Sequence, residues 1–107
     1  GLVQGLGGTF LDHMVYDDAG QLLTGSFADY LLPTSTELPD ITAIALEESP
    51  SEFNPMGFKG AGEGGIVAVA AAVGNAVTHA LNTHGIQINE LPITPDRLRA
   101  ALRAVGA

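Results

Sequence analysis

The residue whose surroundings most invite chemistry is Glu63. It is the single acid in FKGAGEGG, residues 58–65, and an uncharged run, IVAVAAAVGNAV, follows at 66–77. With Gly57 counted, this neighbourhood holds five of the chain's 14 glycines. Glycines strip side-chain bulk from a loop, so a large group can press against the backbone. A carboxylate confined beside such a group can serve as a general base. The plainer expectation is a first-turn glutamate that complements a helix dipole, worth ~0.3–1 kcal/mol at an exposed site.

The same glycines fit a second chemistry. Gly60, Gly62 and Gly65 satisfy G-x-G-x-x-G ahead of an expected helix, a pattern that offers backbone N–H groups to a pyrophosphate. Its context is wrong. Residues 51–57, SEFNPMG, do not read as the strand that should lead in, and a carboxylate inside the loop repels phosphate. A phosphate- or nucleotide-binding module on Gly60 to Gly65 therefore stands as an alternative, as does a domain whose glycines only serve close packing.

The remaining polar residues are less directive. His79 and His84 are five apart, about 140° around a helix, so they share no face. His13 has only Asp12 beside it, and no metal site is expected from these histidines. Lys59 can pair with a carboxylate or a phosphate, or simply be solvated. Asp29 and Tyr30 can face a pocket, or lie on a strand surface. Asn75 and Thr78 call for hydrogen-bond partners inside a buried helix.

The elements that must position Glu63 follow from periodicity. Leu2, Leu6, Phe10 and Met14 recur every four residues and predict a helix over 2–16. Gly5, Gly7 and Gly8 inside it each cost about 1 kcal/mol against alanine, so close approach by a neighbour is expected there. Residues 17–20, DDAG, read as a turn. A short strand is predicted at 21–24, an extended segment at 26–32 before Pro33, and a strand at 41–47, ITAIALE. A buried, small-residue helix is predicted over 65–83, stopped by Gly85. Thr94 as N-cap and Pro95 at the first helical position open a last helix that ends near Val105. The expected fold class is α+β, with three helices and a few short strands.

Composition narrows the function classes. Charged residues make up 15%, against about a quarter in ordinary domains, so much of the surface is expected to be covered. Net charge is −8, which disfavours nucleic acid as a partner. Arg97, Arg99 and Arg103 read as a helix face. With no cysteine, no iron–sulfur cluster or thiolate zinc site is expected from this chain, in keeping with a cytoplasmic setting. No signal peptide and no membrane span are read, and the opening GLVQGLGG, without an initiator Met, reads as the interior of a longer protein.

Four stretches, in order, resemble the C-terminal part of the molybdopterin-binding large subunit of the xanthine oxidase family of molybdenum hydroxylases. They are GLVQGLG at 1–7, SFADYLLP at 26–33, NPMGFKGAGE at 54–63 opening an alanine-rich helix, and LPITP at 91–95. The resemblance spans essentially residues 1–107, as one segment of a molybdopterin-binding domain, and is strongest in 1–85. It implies an oxidoreductase that hydroxylates an aldehyde, an N-heterocycle or a similar small substrate with water-derived oxygen. Glu63 then matches the catalytic general base beside the molybdenum. Gln4 matches, more weakly, a glutamine near the cofactor, and Gly60, Ala61 and Gly62 match the loop along the pterin. Many family members carry Pro-Pro after the glutamate. This chain has Gly64-Gly65, which leaves the substrate open. The resemblance also implies molybdenum–molybdopterin as cofactor, with iron–sulfur clusters and FAD on other domains or subunits. Partners would be the remainder of the same large subunit, the iron–sulfur and flavin subunits, and the substrate. The isolated piece is expected to be inactive and to self-associate through exposed apolar faces.

Overall fold

The computed structural model of the chain describes residues 1–106. Three α-helices form: α1 (Leu2–Phe10), α2 (Val69–Ala80) and α3 (Pro95–Ala104), with a 3₁₀ turn at Asn82–His84. Among the described residues the sole β pairing is one antiparallel bridge between Tyr16 and Leu22. The α+β expectation is met on its helical side and corrected on its strand side.

The corrections have local causes. α1 ends at Phe10 rather than 16 because the Gly7 carbonyl accepts from both Leu11 N (2.8 Å) and Asp12 N (2.9 Å), closing the last turn. The next residues are drawn into a hairpin-like return. Asp17 Oδ1 accepts from Ala19 N and Gln21 N, and Leu23 N donates to Val15 O at 2.8 Å. The strand expected at 21–24 is therefore a single bridge. Residues 26–30 form a turn instead of an extended segment: the Ser26 carbonyl accepts from Asp29 N and Tyr30 N, and Ser26 Oγ donates to Asp29 Oδ2 at 3.0 Å. A serine with an acid three residues on offers the backbone this local alternative. The strand expected at 41–47 lacks a partner. Across 38–50 no hydrogen bond to the other described residues forms, and Ile44 is 78% exposed.

The helix expected over 65–83 starts four residues late and is not buried. Val69 and Gly74 are its buried members, and most of its alanines face outward. Gly85 stops the following turn in the left-handed region, φ 67°, as glycine readily does. α3 follows its sequence signals. Thr94 Oγ1 accepts from Arg97 N, and Pro95 begins the helix.

The small core sits where α1 crosses α2. A Cβ built on Gly5 would lie 2.6 Å from Val69 Cβ, so glycine is what lets the helices meet. Thr9 is fully buried, its hydroxyl donating to Gly5 O at 2.6 Å. Its own carbonyl accepts from Ile93 N at 2.6 Å, which ties residues 86–93 to α1. Thr78 Oγ1 accepts from Ile88 N at 3.0 Å, tying the same segment to α2.

This core is small for the chain. The accessible surface is 8406 Å², against about 5,600 Å² for a folded monomer of this mass. The radius of gyration is 18.1 Å, where a compact domain of this length has about 13 Å. Large apolar side chains contribute to it, with Phe53 99% exposed and Phe27, Leu46, Met56 and Phe58 also outside.

Candidate functional site

Glu63 lies five residues before Ala68, the N-cap of α2, and that helix has no acid in its first turn. Dipole complementation, which falls off within one turn, does not account for it. The carboxylate is exposed and makes no hydrogen bond or ion pair to the other described residues. Its backbone is held, however. Ile66 N donates to Glu63 O at 3.0 Å, and Gly64 N donates to Ala61 O at 3.2 Å. Two residues on, Gly65 meets the start of α1. A Cβ on Gly1 would fall 3.0 Å from Gly65 Cα, and one on Gly65 would fall 3.3 Å from Gly1 Cα. Backbone against backbone fixes the downstream end of the loop.

That contact joins the start of α1 to the end of the glycine loop. Gln4 lies one turn into α1 with an exposed side chain, and Gly60, Ala61, Gly62 and Glu63 lead into Gly65. No hydrogen bond joins Gln4 to Glu63 among the described residues. Gly60 and Gly62 differ from Gly5 and Gly7 of α1: a Cβ on either would meet nothing within 4 Å, as is also true of Gly8, where the close approach expected from the sequence does not occur. The N–H groups of residues 59–63 have no acceptor among the described residues. Five successive N–H groups are thus left free on an exposed loop whose glycines add no side-chain bulk. A molybdopterin fits this arrangement. It would be held through backbone N–H groups, with Glu63 as the one acid of the loop, Lys59 as its one cation, and none of the loop's side chains a soft metal ligand. Lys59 is exposed and unpaired among the described residues, and no three His, Asp or Glu side chains there cluster closely enough to hold a metal ion.

The same geometry removes the dinucleotide reading. No strand precedes Gly60, and α2 begins four residues after Gly65, so the glycine turn does not sit on a helix N-terminus.

Two features went unread in the sequence. Asn54 Oδ1 accepts from Phe58 N at 2.8 Å, and its Nδ2 donates to Phe58 O at 3.0 Å, closing the turn just upstream of the glycine loop. The signal was present as N-P-x-G, a turn signature. On the far side of α1, Asp12 Oδ1 is buried with no hydrogen-bond partner. Partial burial, and then the neighbouring Asp12 carboxylate, raise the Tyr30 hydroxyl above the usual phenol value.

Comparison with known proteins gives the family. A family model described as molybdopterin cofactor-binding domain matches residues 1–39. The sequence is 41% identical over 96 residues to the 6-hydroxypseudooxynicotine dehydrogenase complex subunit gamma of Paenarthrobacter nicotinovorans, covering 90% of this chain and 12% of that one. It is 41% identical over 105 residues to the nicotine 6-hydroxylase large subunit of the same organism, covering 98% of this chain and 13% of that one. The crystal structure of quinoline 2-oxidoreductase from Pseudomonas putida 86 matches with a TM-score of 0.87 and 41% identity, across 95% of this chain and 13% of that one.

The chain belongs to the family of molybdenum-binding large subunits that includes those of xanthine dehydrogenase, aldehyde oxidoreductase and carbon monoxide dehydrogenase. It spans about one eighth of the length of the relatives it matches.

Proposed function

We propose that residues 1–107 are a C-terminal segment of the molybdopterin-binding domain of a molybdenum hydroxylase, and that Glu63 is its general base. The observation that carries this reading is a free carboxylate with no structural duty, on a backbone fixed at Gly65, next to unpaired N–H groups that would form the cradle for the cofactor. When bound, the molybdenum–molybdopterin group supplies the two-electron redox chemistry. Glu63 takes the proton from the water-derived nucleophile as it attacks the substrate carbon. Gly60, Ala61 and Gly62 give room and N–H donors to the pterin, and Gln4 offers its amide from the neighbouring helix end.

The substrate class favoured is an electron-poor ring carbon next to nitrogen, because two of the relatives most similar in sequence or structure are named for nicotine and quinoline. An aldehyde is the second choice. Iron–sulfur clusters and FAD on other domains or subunits would carry the electrons away.

The excess apolar surface and the unpaired 38–50 arm are the faces that the remainder of the large subunit would cover. In isolation the same faces would draw copies of the piece together, and it would be inactive because most of the cofactor shell lies outside it.

The test is Glu63→Gln in the assembled enzyme, read as molybdenum content and as turnover on N-heterocycles and aldehydes. Full molybdenum with turnover lowered about 10²- to 10⁴-fold is expected for loss of a general base. Unchanged turnover would return Glu63 to a solvated loop acid.

A further inference from the structure

Glu63 stands on a short span of backbone that needs two fixed ends. The downstream end is the Gly1–Gly65 contact. The upstream end is a turn whose geometry is unusually closed. Asn54 O accepts from Gly57 N at 3.1 Å, with Pro55 and Met56 between them, so residues 54–57 form a β-turn. Gly57 has φ 70°, and a Cβ on it would lie 2.7 Å from Pro50 Cβ, so position 57 is reserved for glycine on two counts. The Gly57 carbonyl then accepts from Ser51 N at 3.0 Å, tying the turn to the segment before it. The Asn54 amide finishes the closure by bonding both backbone groups of Phe58, N–H to Oδ1 and carbonyl to Nδ2.

Beyond Phe58 the chain runs through 59 and 60 without a hydrogen bond to the described residues, until Ala61 O accepts from Gly64 N. Phe58 is therefore the last hydrogen-bonded residue on the upstream side of this span. Only one side chain holds both polar groups of that residue.

We propose that Asn54 is a positioning residue for the reaction: its amide clamps Phe58 and thereby sets where Glu63 stands relative to the cofactor. This deepens the assignment of Glu63 as base and rests on it. Asparagine is specifically suited, because a neutral amide supplies one donor and one acceptor side by side. An aspartate keeps the acceptor and loses the donor. An alanine loses both. Displacing a catalytic group by about 1 Å can cost ~10²-fold in rate, so a clamp remote from the chemistry has a large readout.

The experiment uses the assembled enzyme with Asn54→Ala, Asn54→Asp, Glu63→Gln and the Asn54→Ala/Glu63→Gln pair. Hydrogen exchange over residues 54–60, molybdenum content, kcat and KM on an N-heterocycle are measured for each. Asn54→Ala is expected to speed exchange at Phe58 and leave molybdenum content full. It should lower kcat by about 10- to 100-fold with KM little changed. Asn54→Asp should fall between it and the parent. In the Glu63→Gln background, Asn54→Ala should cost nothing further, because the group it positions is already gone. Unaltered exchange, unaltered kcat, lost molybdenum, or kcat losses that multiply in the pair would each overturn the proposal. Glu63→Gln alone reports separately on the base: if it leaves turnover intact, the base assignment fails, and the exchange data still show whether the clamp exists.

Discussion

Two sets of glycines in this chain do opposite jobs. Gly1, Gly5, Gly7 and Gly65 are filled sites, where an added methyl group would strike Gly65 Cα, Val69 Cβ, Pro33 Cδ or Gly1 Cα at 3.3 Å or less. Gly60 and Gly62 are open sites, with nothing within 4 Å. In the first set, absence of a side chain is consumed by protein. In the second it is left over, on the loop that carries Glu63 and beside unpaired N–H groups. A glycine-rich sequence shows only that bulk is missing; the structure shows which gaps are already occupied.

Substitution separates the two sets. The largest structural effect is expected at Gly5. Gly5→Ala puts a methyl group 2.6 Å from Val69 Cβ in the best-packed part of the molecule, and overpacking of this kind costs ~1–3 kcal/mol. The melting temperature of the large subunit should fall. Val69→Gly should restore part of the loss when combined with it, since it removes the struck Cβ together with the two Cγ atoms at 2.7 and 3.0 Å. If the pair is no better than the sum of the singles, the helices are not held apart by this contact.

Gly62→Ala should behave the other way. Its backbone is not in the left-handed region, and the new methyl group meets no neighbour, so stability should stay within about 0.5 kcal/mol of the parent. Molybdenum and pterin content should nevertheless drop, because the methyl group enters the space assigned to the cofactor. Full cofactor content with unchanged stability would mean that the cradle is empty in the assembled enzyme, and would erase the distinction between the two glycine sets.

How much of this could be read without coordinates depends on where each determinant lies. α3 was legible almost to the residue, because Thr94, Pro95 and Gly106 are local signals that act within one turn. α1 was legible in its start and its face but not in its end, which the Gly7 carbonyl and the Val15–Leu23 pairing decide. The 41–47 strand was read from alternation alone. Alternation specifies a face and says nothing of whether a pairing edge is present, and none lies among the described residues. The late start of α2 mattered most for function. Gly64 and Gly65 postpone the helix, and that places Glu63 outside the first turn, where its carboxylate has no helix to serve. The turn at 54–57 had its N-P-x-G signature, but the reach of the Asn54 amide on to Phe58 leaves no periodic trace.

The smallest expected effect lies on the filled side, at the rim of the Gly7 site. Pro33 presses on Gly7, and the turn after it is closed by Glu37, whose Oε2 accepts from Thr34 N at 2.6 Å and from Thr34 Oγ1 at 2.5 Å, while Oε1 accepts from Thr36 Oγ1 at 3.0 Å. The hydrogen bonds from Thr34, then that from Thr36, hold the Glu37 carboxyl below its ordinary value. A depressed acid stabilises the folded turn fully above its unfolded value, and that contribution is lost as pH falls from about 4.5 through the folded one. Exchange at the Thr34 amide should therefore be slowest, relative to the unstructured rate, above the ordinary glutamate value of 4.5 and lose protection as pH falls below it. Glu37→Gln should flatten that dependence while leaving the loop at 59–63 untouched. If acid loosened that loop to the same degree, the filled and open glycine sets would be parts of a single cooperative unit, and their separate roles would have to be given up.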